Sequence, residues 1–165
     1  MQLARAYIGI GSNLEHPETQ LRRAFRALVE LPASRCVACS PLYRSEAVGG
    51  PPDQPEYLNA VVAVDTTLQP EALLTALQAI EATQGRVRTV RWGPRTLDLD
   101  LLLYDDLVLD GPRLTLPHPR LHQRAFVVYP LYDIAPDLKI PGQGLLSELL
   151  KKIPQSTLAR LDSAE

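Results

Sequence analysis

The sequence predicts an α+β fold, in which helices pack on one face of an antiparallel sheet. Apolar runs of strand length alternate with segments of helical period, and proline and glycine are concentrated in the connections between them. The chain has 165 residues, of which 45% are hydrophobic and 22% charged, and this is the size and composition of one globular domain. We therefore expect residues 1–165 to form a single domain.

The first half of the chain is predicted to form a strand, a helix and two further strands. Residues 4–10 are a short apolar strand, which the chain leaves by a turn at 11–14. Leucine, alanine and phenylalanine recur at helical spacing over 17–31, with arginines on the opposite side. The next two strands are predicted at 36–43 and 58–66.

The second half continues with a helix and a strand. Pro70 starts a helix with a stripe of leucine and isoleucine, which ends near Gly85. Residues 97–104 form a mostly apolar strand, and after Phe126 we expect short helices and loops to the end of the chain. The order strand, helix, strand, strand, helix, strand is that of the ferredoxin-like fold.

Two aspartates are predicted to project from one face of the strand at 97–104. Asp98 and Asp100 are two residues apart, so they point to the same side, whereas Leu99 points to the other. Two like charges a few ångströms apart are costly unless a cation neutralises them, and carboxylate oxygens favour hard cations such as Mg²⁺. The alternative is that both aspartates lie on the solvated face of an edge strand and bind nothing.

Arginines precede the two aspartates in a loop that contains glycine and proline. Guanidinium groups can bind phosphate oxygens in a bidentate manner, and four fall within ten residues: Arg86, Arg88, Arg91 and Arg95. The whole chain has 17 basic against 19 acidic residues and a net charge of −2, which argues against a broad nucleic-acid surface. We therefore expect a local metal and phosphate site and no nucleic-acid partner.

Side chains able to bind a planar heterocycle accompany this site. Tyr57 and Asn59 share one face of the third predicted strand, and the Asn59 amide offers two donors and an acceptor. Trp92 and Phe126 could provide flat apolar surfaces. Each also has a structural explanation, because Phe126 could belong to the core, Trp92 could anchor its loop and Asn59 could cap a strand edge.

Several motifs of nucleotide binding and covalent catalysis are missing from the sequence. Gly9 and Gly11 follow a strand, but no third glycine arrives three residues later, so the dinucleotide-binding fingerprint is incomplete. There is no P-loop and no evident Ser-His-Asp set, which favours direct displacement over a covalent intermediate. Cys36 and Cys39 lie in a predicted strand, where residues three apart face opposite sides, so we expect two reduced cysteines without a metal.

Neither a signal peptide nor a membrane span is predicted. The N-terminus leads straight into a short apolar strand, and no apolar run approaches the roughly 20 residues that a transmembrane helix requires. We therefore expect a monomeric protein in the cytoplasm, without a membrane partner.

The loop and strand at 91–102 resemble the signature of the 6-hydroxymethyl-7,8-dihydropterin pyrophosphokinase family, reading R-W-G-P-R-T-L-D-L-D-L-L. Further segments resemble the family in the same order along nearly the whole chain, at 7–14, 43–44, 53–60, 84–88 and 114–118. The resemblance implies transfer of pyrophosphate from ATP to the hydroxymethyl group of the pterin, with release of AMP, in folate biosynthesis. It also implies that ATP is the co-substrate and that two Mg²⁺ ions are used.

The resemblance also implies roles for individual residues. Asp98 and Asp100 would bind the two Mg²⁺ ions, and Arg86 and Arg95 would stabilise charge on the transferred group. The positions that would contact the pterin are Ser45, Val48, Tyr57, Asn59, Trp92 and Phe126. The positions that would contact ATP are Gln78, Glu81, Arg88, Arg113, Thr115, His118 and Arg124.

The residues alone leave two other functions open. A two-metal phosphodiesterase or nuclease would also use paired aspartates beside arginines, although the sequence lacks a third and fourth acidic ligand and a wide basic track. A non-catalytic ferredoxin-like binding module would display aromatic side chains on its sheet, as RNA-binding domains do. Only 5% of the residues are aromatic, which counts against that alternative.

Overall fold

The structure, a computed structural model, describes residues 3–12, 17–45, 57–85, 97–153 and 158–160. The long strands and the edge strands beside them are β1 (Ala4–Ser12), β2 (Ser34–Cys39), β3 (Tyr43–Ser45), β4 (Tyr57–Thr66) and β5 (Leu97–Tyr104). Five short strands follow: β6 (Leu109–Asp110), β7 (Thr115–Leu116), β8 (Lys139–Ile140), β9 (Gly144–Leu145) and β10 (Leu158–Arg160).

The described residues also form four α-helices and a short 3₁₀ helix. They are α1 (Pro17–Val29), α2 (Pro70–Gly85), α3 (Ala125–Ile134), α4 (Leu146–Leu150) and the 3₁₀ helix at Leu121–Gln123. The helix predicted from Pro70 to Gly85 is confirmed at both ends. In the described part of the chain, none of the helices is long and apolar enough to cross a membrane.

One antiparallel sheet organises the domain. Its strands lie in the order β10, β3, β4, β1, β5, and β2 pairs with β4 on the same side as β3. All of these pairs are antiparallel, so the prediction of helices combined with an antiparallel sheet is confirmed. The strand predicted at 97–104 is confirmed as β5, which is the edge strand beside β1.

Helices cover both faces of this sheet. On one face, α1 and α2 pack against a cluster of strand side chains that includes Ile8, Ile10, Val62, Val64, Leu99 and Leu101. On the other face, α3 and α4 pack against a second cluster that includes Tyr7, Val61, Ala63 and Leu103. The expectation that helices pack on one face only is therefore wrong. The reason lies in β4, whose apolar run at 60–64 is buried on both sides, as is typical of a strand covered on two faces.

The boundaries of two early strands differ from the prediction. The first strand extends through Gly11 and Ser12, which pair with β4 instead of forming a turn. The strand predicted at 36–43 is divided into β2 and β3, because Pro41 has no backbone N–H for a ladder. At this break Ser40 replaces the ladder, since its Oγ accepts the N–H of Val61 at 2.9 Å and its own N–H donates to the Val61 carbonyl at 2.9 Å.

A β-bulge in β2 brings the two cysteines onto the same face of the sheet. Cys36 lies opposite Val64 of β4, and Cys39, after a shift in register, lies opposite Val62. Both valines belong to the cluster under α1 and α2. Because the extra residue of a bulge changes the alternation of side chains, the expectation that the cysteines face opposite sides is wrong. Both are free thiols, and burial raises the pKa of each.

The segment after Phe126 contains more regular structure than predicted. Besides α3 and α4, it forms the β8–β9 hairpin, and β10 adds to the outer side of β3 in the main sheet. Helix α3 is tied to the same strand, because the hydroxyl of Tyr43 in β3 donates a hydrogen bond to the Asp133 carboxylate. The C-terminal region therefore supports the part of the sheet that carries Ser45.

Two neighbouring residues of α1 test the position of the first cluster. Leu28 is 1% exposed, whereas Val29 is 49% exposed. We expect Leu28→Ala to lower the free energy of unfolding by about 2–5 kcal/mol, because it removes buried methyl groups and leaves a cavity. Val29→Ala should change it by no more than about 0.5 kcal/mol. Urea denaturation of both variants measures the difference, and equal losses would contradict the described packing of α1.

Candidate active site

A cleft with a volume of about 650 Å³ opens on the α3 side of the sheet. It receives side chains from four strands and from the start of α3, so it draws together segments that are distant in sequence. The residues that line it are Gly9, Ile10, Gly11, Ser45, Tyr57, Asn59, Ala60, Asp98, Asp100, Arg120, Arg124, Ala125, Phe126 and Val127.

Asp98 and Asp100 both face this cleft from β5. The residues opposite them on β1 are glycines, Gly11 beside Asp98 and Gly9 beside Asp100. Because glycine has no side chain, no side chain of these two β1 residues covers either carboxylate. Leu99, between them, is buried on the opposite face. Two adjacent carboxylates with room above them are a donor set that suits a hard, oxygen-binding cation such as Mg²⁺.

Cationic side chains lie beside the carboxylate pair. The Arg124 Nη1 is 3.9 Å from the Asp100 Oδ2, and its guanidinium carbon lies 5.5 Å from the centre of the Phe126 ring. Arg124 thus connects the carboxylates with the aromatic wall of the cleft. His118 is also close, and burial lowers its pKa, with nearby Arg124 and Arg120 acting in the same direction and Asp100 opposing them.

Glu81 of α2 holds the strand that carries the two aspartates. Its Oε2 accepts the backbone N–H of Leu99 at 2.7 Å, and this N–H lies between Asp98 and Asp100 in the chain. Burial raises the pKa of Glu81, the hydrogen bond from Leu99 lowers it, and the negative charges of Asp98 and Asp100 raise it further. The Glu81 carboxylate therefore fixes the β5 backbone at Leu99, between the two aspartates.

The other end of the cleft carries a buried polar pair. The Asn59 Nδ2 donates a hydrogen bond to the Ser45 Oγ at 2.9 Å, and both residues are buried. This bond fixes the orientation of the Asn59 amide and leaves its carbonyl oxygen free of that contact. Phe126 lies at the start of α3 and lines the same cleft. An amide held in one orientation and an apolar ring together suit the binding of a planar heterocycle that forms hydrogen bonds.

Gly11 offers a test of this end of the cleft. A Cβ at Gly11 would lie 3.1 Å from the Asn59 Oδ1, which is too close unless the amide moves. We expect Gly11→Ala to weaken binding of the pterin that the sequence resemblance implies by about 10-fold, since ~1.4 kcal/mol corresponds to a factor of ten, and to leave binding of the implied ATP unchanged. Titration calorimetry with each ligand measures this, and equal weakening of both would contradict the assignment of Asn59 to one ligand only.

Three of the residues expected to contact ATP, Gln78, Arg113 and Thr115, lie on elements that pack against β5 or in contact with them. Arg113, which precedes β7, has its Nη2 3.3 Å from the Gln78 Oε1 and 3.1 Å from the Thr75 Oγ1 of α2. Its Nη1 is 3.8 Å from the Glu71 Oε1. Thr115 begins β7, which packs against β5. Gln78 and Arg113, expected in one binding site from the sequence, are therefore in direct contact.

Some expected site residues lie outside the described residues. They are Val48, Arg86, Arg88, Trp92 and Arg95. The structure also brings residues into the cleft that the sequence did not single out as site residues, namely Gly9, Gly11 and Arg120. The sequence did contain a signal for the two glycines, because they lie two residues apart, and residues at that spacing share a face wherever a strand continues. In the structure both lie in β1, on the face that carries Asp98 and Asp100. For Arg120 there was no periodic signal.

A family model and two curated relatives that match this chain are all described as pyrophosphokinases. A family model described as 7,8-dihydro-6-hydroxymethylpterin-pyrophosphokinase (HPPK) matches residues 7–136. A 2-amino-4-hydroxy-6-hydroxymethyldihydropteridine pyrophosphokinase from Pseudomonas aeruginosa is 52% identical over 162 residues, which are 98% of this chain and 99% of that protein. The protein of the same description from Haemophilus influenzae is 46% identical and is matched over 95% of this chain and 98% of its own length.

Solved structures with a similar fold come from longer chains. An HPPK-DHPS crystal structure in complex with substrates superposes with a TM-score of 0.76 at 11% identity, over 98% of this chain and 47% of that one. Plasmodium falciparum HPPK-DHPS with pteroate gives a TM-score of 0.70 at 14% identity, over 92% of this chain and 42% of that one. The chain thus spans about half the length of these solved chains, and at this identity the likeness concerns the fold alone.

Proposed function

The chain belongs to the 7,8-dihydro-6-hydroxymethylpterin-pyrophosphokinase family, and we propose that it transfers the pyrophosphoryl group of ATP to 6-hydroxymethyl-7,8-dihydropterin, with release of AMP. The observation that carries the proposal is a single cleft with paired carboxylates at one end and a fixed amide beside an aromatic ring at the other. The first suits a metal-bound triphosphate, and the second suits a planar pterin. The chain is thereby an enzyme of folate biosynthesis.

The pterin is proposed to bind at the end of the cleft that contains Asn59. Its ring would stack on Phe126 and on Trp92, and the Asn59 amide would read the hydrogen-bonding edge of the ring, with Ser45 fixing that amide. Tyr57, and Val48 in the preceding segment, would complete the pterin site. This orientation directs the hydroxymethyl group towards the carboxylates of β5.

The chemical step is proposed to be a direct in-line displacement. The hydroxymethyl oxygen forms a bond to the β-phosphorus of ATP, the bond from that phosphorus to the α-phosphate oxygen breaks, and AMP leaves with the electron pair. The hydroxyl proton passes to solvent water as the new bond forms. Because a primary alcohol is a poor nucleophile and the described lining of the cleft includes no histidine or lysine, positioning would supply much of the rate enhancement.

Asp98 and Asp100 are proposed to hold two Mg²⁺ ions. When bound, magnesium would neutralise triphosphate charge and polarise the reacting oxygens. The two carboxylates orient their ligands because β5 is fixed at Leu99 by Glu81. Arg86 and Arg95 would stabilise the charge that develops on the transferred group, and Arg124 would neutralise charge between Asp100 and the pterin site.

ATP is proposed to lie along the outer edge of β5, beside the α2 surface. The side chains that would contact it are Gln78, Glu81, Arg88, Arg113, Thr115, His118 and Arg124. The contacts of Arg113 with Gln78 and Thr75 support this assignment, because they bring cationic and polar groups together next to the strand that carries the aspartates. The nucleotide would thus approach the cleft from the side opposite Asn59.

A nuclease and a non-catalytic binding module are not favoured. The matched family and the curated relatives are named as pyrophosphokinases, and the cleft combines its carboxylates with a polar pair that a phosphodiesterase does not require. We also propose that the enzyme works as a monomer in the cytoplasm, on small molecules and without a nucleic-acid partner. The net charge of −2 supports the absence of a nucleic-acid partner, and a cleft lined by residues of one chain supports a monomer.

We further propose that residues 1–165 form one domain with a ferredoxin-like core. The strand order β3, β4, β1, β5, with α1 and α2 on a shared face, supports the ferredoxin-like assignment. The main sheet, covered by helices on both faces, supports a single domain.

Chromatography of the nucleotides tests the proposed function. With ATP and Mg²⁺, the protein should form AMP only when 6-hydroxymethyl-7,8-dihydropterin is added. Formation of ADP would instead indicate transfer of a single phosphoryl group. A single-stranded oligonucleotide in place of the pterin should remain intact, and its degradation would support the nuclease.

A further inference from the structure

Arg120 is a cation in the cleft that the proposed reaction does not yet use. It is exposed, and it lines the same cleft as Asp98, Asp100 and Phe126. Among the residues that the structure describes, no carboxylate lies within ion-pair distance of the Arg120 guanidinium. Its positive charge is therefore available to a ligand.

The backbone fixes Arg120 close to the phosphate end of the cleft. The Arg120 N–H donates to the His118 Nδ1 at 3.2 Å. Arg124, which lines the same cleft as Arg120, lies 3.9 Å from the Asp100 carboxylate. The 3₁₀ helix begins directly after Arg120, and α3, which carries Phe126, begins at Ala125. Arg120 and Phe126 both line the cleft.

Binding a phosphorylated ligand in this cleft would benefit from a cation besides Arg124. Arg124, the other arginine that lines it, lies beside Asp100 and shares its charge with that carboxylate. A triphosphate or a diphosphate bears several negative charges, and a guanidinium group binds phosphate oxygens through charge-assisted hydrogen bonds. An arginine that makes no ion pair with the described residues is therefore suited, at this position, to a phosphorylated ligand.

We propose that Arg120 is an additional phosphate-binding residue, which contacts the diphosphate group that moves from ATP to the pterin. This inference rests on the proposed function. Three of the residues proposed to bind the nucleotide, Gln78, Arg113 and Thr115, lie outside the cleft that Arg120 lines, whereas Arg124, beside Asp100, lies inside it. We therefore place the transferred diphosphate, and not the α-phosphate, nearest to Arg120. The group that crosses the cleft is present in ATP and in the pterin diphosphate, and absent from AMP and from the unreacted pterin.

Binding of four ligands to Arg120→Ala tests the assignment. The ligands are α,β-methylene-ATP with Mg²⁺, the pterin diphosphate, AMP and 6-hydroxymethyl-7,8-dihydropterin. Titration calorimetry should show about 10- to 100-fold weaker binding of the first two, which corresponds to the loss of a charge-assisted contact. AMP and the pterin should bind within about twofold of wild type. Arg120→Lys should fall between wild type and Arg120→Ala, because it keeps the charge and loses the bidentate geometry.

Arg26→Ala provides the matched control. It also removes one positive charge, but from the exposed side of α1, far from the lining of the cleft. It should bind all four ligands as wild type does. Wild-type affinity of Arg120→Ala for both phosphorylated ligands would overturn the inference. Equal weakening of all four ligands, with a lower Tm, would also overturn it, because that pattern indicates a structural role.

The wild-type protein separates this inference from the proposed function. If wild type fails to bind the pterin, the proposed function is contradicted, and Arg120 loses its proposed ligand with it. If wild type binds all four ligands and Arg120→Ala does so equally well, only the role of Arg120 is contradicted.

Discussion

Replacing Asp100 with alanine is expected to lower kcat by at least about 10³-fold, since it removes one of the two carboxylates that hold the metal at the reacting phosphate. The fold should remain intact. Asp100 lies in the open cleft opposite Gly9, so no packing is lost, and removing one of two adjacent negative charges relieves repulsion. Steady-state formation of AMP and the Tm measure the two effects separately.

Asp106→Ala is the matched control for this variant. Asp106 is an exposed aspartate in the turn after β5, and it does not line the cleft. Its kcat should stay within about twofold of wild type, as is usual for surface substitutions. An Asp100→Ala enzyme that keeps its full rate with Mg²⁺ would show that the metal is held elsewhere.

Replacing Asn59 with leucine is expected to raise the KM for the pterin by about 10²-fold and to leave the KM for ATP nearly unchanged. Leucine has a similar size but no amide, so the polar edge of the bound pterin would be left without a partner in a buried place. The residue itself is only 4% exposed. Initial rates measured with each substrate varied in turn give both constants.

Asn59→Leu also removes the hydrogen bond from Asn59 to Ser45, so its effect on stability must be separated from its effect on binding. Ser34→Ala is the control for the effect on stability. It breaks a comparable bond between the Ser34 and Thr66 hydroxyls, 2.7 Å apart, at the opposite end of β4. Ser34→Ala should lower the Tm without changing the KM for the pterin. Equal rises in the KM for both substrates in Asn59→Leu would contradict a pterin-specific role.

Local patterns in the sequence predicted the central elements of the fold. Helix α2 begins at a proline and ends at a glycine, so local sequence predicts its boundaries. Strand β5 alternates aspartate with buried leucine, so local sequence predicts which side chains share a face. The same alternation predicted that Asp98 and Asp100 share a face, and the lining of the cleft agrees.

Features that depend on pairing between distant segments could not be predicted in this way. The bulge that brings Cys36 and Cys39 to one face is visible only in the register of β2 against β4. The covering of the second face by α3 follows from a strand that is buried on both sides, which periodicity cannot distinguish from other apolar runs.

The same limit applies to the candidate site. The contact of Glu81 with the Leu99 backbone joins α2 to β5 across 18 positions of the sequence, and neither residue type signals it. Asn59 and Ser45 meet because β3 pairs with β4. Arg120 lies in a proline-containing segment that has no hydrophobic periodicity, so the sequence did not predict that it lines the same cleft as the two aspartates.

The most direct test of the central claim is a ³¹P–¹H correlation experiment on a reaction of the wild-type protein with ATP, Mg²⁺ and 6-hydroxymethyl-7,8-dihydropterin. Direct transfer predicts a new diphosphate, whose first phosphorus correlates with the methylene protons of the pterin, and AMP in equal amount. AMP with free pyrophosphate and no such correlation would contradict the account, because ATP would then be hydrolysed and no bond to the pterin formed.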